Sequence, residues 1–66
     1  MKILTINESG NFSAINIDRI EAVIKSEDGT EIKVVCGKWN YTETFTNRIE
    51  QEKRFIDILQ YLEVEK

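Results

Sequence analysis

From Ile3 to Phe45 apolar and β-branched side chains tend to recur at every second position, and from Asn47 onward they recur every three or four. A period of two sends alternate residues to opposite faces of a strand, whereas a period near 3.6 gathers them on one side of a helix. That switch restricts the chain to strands followed by one helix. The sequence has no proline, and its three glycines, Gly10, Gly29 and Gly37, fall among polar residues between the β-type runs, where they mark turns. The reading is five strands, over residues 2–7, 11–16, 20–26, 30–36 and 39–46, and a helix over 48–62. The expected fold is α+β: a five-stranded antiparallel meander in a single domain, 1–66, with one C-terminal amphipathic helix packed on one face.

Register follows from asking which loop lengths bring apolar residues opposite one another, because a slip of one residue moves every side chain to the other face. In SEDGT, a three-residue loop with Gly29 left-handed pairs Ile24 with Ile32, Ala22 with Val34 and Ile20 with Cys36. A two-residue loop would set Lys25 opposite Ile32 and waste a core position. The same device in NESGN, with Gly10 left-handed, pairs Ile6 with Phe12 and Leu4 with Ala14. CGKW reads as a two-residue type II′ turn, which sets Cys36 opposite Trp39 and Val34 opposite Tyr41.

These registers place Trp39, Tyr41 and Phe45 on one apolar face with Ile20, Ala22, Ile24, Ile32, Val34 and Cys36. The helix opens at Asn47 with Glu50 three residues later, a capping-box arrangement, and Phe55, Ile58, Leu59 and Leu62 form the centre of its apolar stripe. Ile49 and Ile56 lie on the shoulder of that stripe, while Lys53, Arg54, Asp57 and Gln60 are expected in water. The opposite sheet face collects Thr5, Ser13, Ile15, Glu21, Val23, Lys33, Val35, Thr42 and Thr44. Ile15, Val23 and Val35 there could form one patch that marks a subunit or partner contact.

A chain of 66 residues buries only about 60% of the surface its unfolded form exposes, so its core is thin. Cys36 is alone and histidine is absent, which removes an intrachain disulfide and the usual zinc ligand sets and leaves self-association as the natural supplement. Twelve acidic residues against nine basic give a net charge of −3 with no cationic cluster, so a nucleic-acid backbone is repelled on average. The opening MKILTINESG has too short an apolar run for a signal peptide, and no stretch approaches the roughly 18 apolar residues of a membrane span. The expected location is the cytoplasm.

Little here points to catalysis. An activated Cys36 would need a general base, and Lys38 is turned to solvent by the Gly37 turn, so Cys36 reads as a small core hydrophobe. Trp39, Tyr41 and Phe45 resemble the stacking rings of a single-strand-binding sheet, but a helix over that face makes them interior. The Asp/Asn spacing of a calcium loop appears only in fragments, in NIDRIE and SEDGTE, and Asp18 reads as the side chain that stabilises the corner between strands two and three. No enzyme, cofactor or metal is expected.

FSAINIDRIEAVIKSEDGTEIKV runs as a strand ending in Asn, an Asp-x-Ile-Glu corner, a strand, a glycine turn and another strand. That layout resembles short bacterial and phage β-meander-plus-helix proteins, among them the small flagellar FlbD-type proteins with their closing Glu-rich helix. The chain departs from the pattern at CGKWNYTETFTN, which adds or lengthens a strand. The resemblance implies a flagellar accessory role or, for short acidic chains of phage and mobile elements, binding that inhibits or redirects a host protein.

The favoured expectation is a small protein-interaction module of that regulator or inhibitor type, homo-oligomeric, with a protein partner and no nucleic acid or membrane. Its candidate contacts are Val23, Lys33, Val35, Thr42 and Thr44 on the open sheet face, with Lys38 and Trp39 at the hairpin tip. The alternative is a small-ligand or single-stranded nucleic-acid binding sheet that uses Trp39, Tyr41 and Lys38.

Overall fold

The computed structural model describes residues 2–65. Along the chain lie β1 (Ile3–Glu8), β2 (Asn11–Asn16), a 3-10 turn (Ile17–Arg19), β3 (Ala22–Lys25), β4 (Glu31–Cys36), β5 (Trp39–Thr44) and α1 (Arg48–Glu65). The fold is α+β, but the strands form two antiparallel sheets, β1-β2 and β3-β4-β5, instead of the single meander expected. The break lies at the 3-10 turn. Asn16 caps it by accepting from the Asp18 N–H at 2.9 Å, and Ile17 drops into the core, so the chain leaves the plane of β2 before β3 begins. The corner's acceptor is therefore Asn16, with Asp18 supplying only its amide.

The two sheets meet where β1 runs beside β5 without a main-chain ladder. Two carboxylates take the place of carbonyls there: Glu43 accepts from the Asn7 N–H at 3.1 Å, and Glu8 accepts from the Thr42 N–H at 2.9 Å. Leu4, Ile6, Ile15, Ile17, Ile32, Val34 and Ile58 form the buried core, drawn from both sheets and α1.

Two of the three expected registers are off by one residue. Glu8 pairs with Asn11, Ile6 with Ser13 and Leu4 with Ile15, so the first loop has two residues, not three. Ser9 (φ 52) and Gly10 (φ 96) both take positive φ, the backbone of a type I′ turn. Ile15 consequently faces the core, and Phe12 stands 72% exposed. In the second hairpin Lys25 pairs with Ile32, Ile24 with Lys33 and Val23 with Val34. Ser26 closes on Glu31 around a four-residue loop, in which Asp28 accepts from the Ser26 hydroxyl and from the Thr30 amide and hydroxyl. The pairing of Lys25 wastes nothing, since its ammonium lies 5.3 Å from the centre of the Phe55 ring and 3.7 Å from Glu52. The third register is as expected, with Cys36 opposite Trp39, Val34 opposite Tyr41 and Gly37 at φ 61.

α1 begins as anticipated, with the Asn47 side chain accepting from the Glu50 N–H at 2.9 Å. The centre of its inward stripe is Gln51, Phe55, Ile58 and Leu62, one step round from the expected centre, and Leu59 remains 42% exposed. Gln51 is buried because its amide donates to the carbonyls of Glu31, at 2.8 Å, and Ser26, at 3.0 Å, binding the helix to the β3–β4 hairpin. Arg54 is likewise no solvent residue; it reaches Glu43 and the Thr5 carbonyl. The Tyr61 hydroxyl donates to the Ile3 carbonyl, so α1 touches both sheets.

Candidate partner-binding surface

Alternation along β3, β4 and β5 gives the three-stranded sheet one covered and one open face. Val23, Ile32, Val34 and Tyr41 lie on the side that α1 covers. Ala22, Ile24, Glu31, Lys33, Val35, Asn40, Thr42 and Thr44 lie on the other. Among them Lys33 sits directly between Ile24 and Thr42, Val35 between Ala22 and Asn40, and Glu31 opposite Thr44. Of the residues singled out from sequence, Lys33, Val35, Thr42 and Thr44 therefore share the open face, with Lys33 and Thr44 exposed and Val35 and Thr42 half-buried. Val23 does not belong with them. The one-residue shift of register turns it inward against the core, and Ile24 takes its place outside.

Lys38 and Trp39 occupy the tip of the β4–β5 hairpin, both exposed. Trp39 keeps the expected parity, on the same side as Cys36 and Tyr41, but it is 71% exposed because it stands beyond the reach of α1. Tyr41 and Phe45 are half-buried and packed on the core. Of these three rings only Trp39 is free, so they do not form a row of stacking rings.

Behind this tip, burial and the nearby Glu21 carboxylate both push the Cys36 thiol above its ordinary pKa, burial contributing more. Cys36 is held as a neutral thiol, the opposite of what a nucleophile requires. Glu21 itself accepts from the Gly37 N–H, bracing the turn. Among the described residues no group of three or more His, Cys, Asp or Glu is placed to hold a metal ion, and no helix is long and apolar enough to cross a membrane.

A second feature was not legible in the sequence. An open groove of about 560 Å³ runs between β3 and the later turns of α1, floored by Ile20, Val23, Leu59 and Leu62 and edged by Glu21 and Glu63. Among the described residues β3 is an edge strand, paired with β4 alone. The available signal was Gln51, which falls in line with Phe55, Ile58 and Leu62 and so shifts the inward stripe away from Leu59. No protein-family model matches this chain, and comparison with the curated proteins and with the solved structures likewise gives no match.

Proposed function

We propose that this chain is a small protein-interaction module of the cytoplasm, a regulator or inhibitor of the phage or mobile-element type that acts by occupying a surface of a host protein. The observation that carries this reading is the tip of the β4–β5 hairpin. A large aromatic ring, Trp39, is held in water beside Lys38 at a two-residue turn, and the opposite side of the same hairpin carries the open face formed by Lys33, Val35, Thr42 and Thr44. Exposed tryptophan on a rigid support supplies contact area at little entropic cost, and such rings dominate the energetics of interfaces. The neutral state of Cys36 accords with a binding role in place of a catalytic one.

The test places a photo-crosslinking residue at Lys38, or for comparison at Gln60 on the far side of α1, in cells of the native host. One discrete adduct from Lys38, lost on Trp39→Ala and absent from Gln60, supports the reading. Equal labelling from both positions overturns it. A second reading keeps its footing in the same exposed ring: a planar ligand or a single-stranded nucleic acid stacked on Trp39. Quenching of Trp39 emission by nucleotides or oligonucleotides, reduced by Lys38→Glu, would favour that alternative.

A further inference from the structure

We propose that the free edge of β3 is the interface for a second copy of this chain, joined about a two-fold axis at Val23. The strand and its preceding residue read Glu21, Ala22, Val23, Ile24, Lys25. Laid antiparallel against itself with Val23 at the centre, this segment is self-complementary. Glu21 falls opposite Lys25 of the second copy, Ala22 opposite Ile24, and Val23 opposite itself. A surface that meets its own copy across a two-fold must satisfy this reciprocity at every position.

The backbone is disposed for such pairing. Ser26 donates its N–H to Glu31, so alternation along an antiparallel ladder turns Ala22 and Ile24 toward β4 and leaves the polar groups of Val23 and Lys25 facing out. Glu21 already spends its N–H on the Val35 carbonyl and contributes its side chain instead. Its Oε1 accepts from Gly37, and Oε2 carries no hydrogen bond among the described residues, leaving it for Lys25 of the second copy.

Four residues of strand edge make a small contact, and the helix flank enlarges it. Glu52, Ile56, Leu59 and Glu63 follow one another at spacings of four, three and four, a stripe separate from the inward one. Glu52 lies beside Lys25, while Leu59 and Glu63 line the groove with Glu21 and Val23, so α1 runs antiparallel to β3 along that edge. A two-fold at Val23 brings the Ile56 and Leu59 flanks of both copies together beneath the joined strands. Ile56 and Leu59, large apolar residues left in water by the single chain, lose exposure together on the α1 side, while Ile24 packs beside Ala22 of the second copy on the open face. The other free edge, β2, is longer but carries no charge to fix a register. The acidic rim of the groove would also attract a cationic segment of another protein. A second copy suits it better because Lys25 lies as many residues from Val23 as Glu21 does and so supplies the matching cation.

Sedimentation equilibrium from low micromolar to near-millimolar concentration tests this directly. The parent chain is expected to form a dimer and no larger species. Glu21→Lys alone and Lys25→Glu alone each set like charges opposite one another twice per dimer, and each is expected to weaken association at least tenfold. An equimolar mixture of the two variants restores complementary pairs and is expected to recover the dimer as a heterodimer. Because either substitution also removes a contact within the chain, thermal melts check that both variants fold, and amide exchange of the parent provides a variant-free reading. Protection of the Val23 and Lys25 amides should rise with concentration while that of β2 does not. A monomer at all concentrations, a dimer indifferent to both charge reversals, or no recovery on mixing overturns the proposal. The crosslinking from Lys38 is read separately, so a monomer with a discrete host adduct removes the dimer and leaves the binding function standing.

Discussion

Arg54 and Glu43 form a two-point pair across the line where the sheets meet, Nε to Oε1 at 2.8 Å and Nη2 to Oε2 at 3.2 Å. The same guanidinium donates to the Thr5 carbonyl at 2.8 Å, and the same carboxylate accepts from the Asn7 N–H. One ion pair thus ties α1 to β5 and to β1. Glu43 is buried, so these partners supply the hydrogen bonds that water would otherwise give its carboxylate.

Arg54→Met is expected to lower stability by about 2–3 kcal/mol, because a buried carboxylate is left with a single amide donor. Adding Glu43→Leu removes the stranded charge and should recover part of the loss. Urea denaturation of the two single variants and the double variant measures this. Additive losses would show that the pair does not couple the elements.

The glycines separate conformational cost from steric cost. Gly10 (φ 96) has open space where a Cβ would lie, and Gly10→Ala should cost about 1 kcal/mol for the left-handed backbone alone. At Gly29 (φ 80) a Cβ would meet the Arg48 Cβ at 2.9 Å and its Cα at 3.0 Å. Gly29→Ala should therefore cost at least about 2 kcal/mol and loosen the start of α1, visible as faster amide exchange at Glu50 and Gln51.

Ser9 is the one non-glycine at positive φ among the described residues. Ser9→Asn creates the Asn-Gly pair that a type I′ turn prefers and is expected to raise stability by about 0.5–1 kcal/mol, read as a higher melting temperature with unchanged structure.

Hydrogen bonds from the Ser26 and Thr30 side chains, with one from the Thr30 amide, lower the Asp28 pKa from 3.8 to about 2. A carboxyl depressed by folding stabilises the fold above its ordinary value and loses that contribution as pH falls through the lowered one. Asp28→Asn should thus melt lower than the parent at neutral pH, with the two curves converging as pH drops from about 4 toward about 2. A difference that persists unchanged across that window would assign the loop's order to something other than the charge.

The sequence was most informative where a local rule had one solution. Gly37 between two strong strand runs admits a two-residue turn with glycine first, and the register of β4 on β5 follows from it. Asn47 with Glu50 likewise located the start of α1. Ser9 bears no mark of its left-handed backbone, and the length of the second loop depends on Asp28 accepting three hydrogen bonds and on Gly29 lodging beneath Arg48, a residue 19 positions away. Each slip exchanged the faces of a strand, sending Ile15 and Val23 inward and Phe12 and Ile24 outward. At Trp39 the parity was readable and the burial was not, since exposure depends on where α1 ends its coverage. The groove beside β3 arises from two elements far apart in the chain, and its one trace in the sequence is Gln51 in line with Phe55, Ile58 and Leu62.

A main-chain ladder holds neighbouring strands at one spacing, but carboxylates on flexible stems do not. With Glu8 and Glu43 bridging β1 to β5, the β1–β2 hairpin meets the other three strands through side chains, and the shared core together with the α1 contacts to Ile3 and Thr5 hold it in place. The molecule has a side-chain seam where a barrel would have a closed wall.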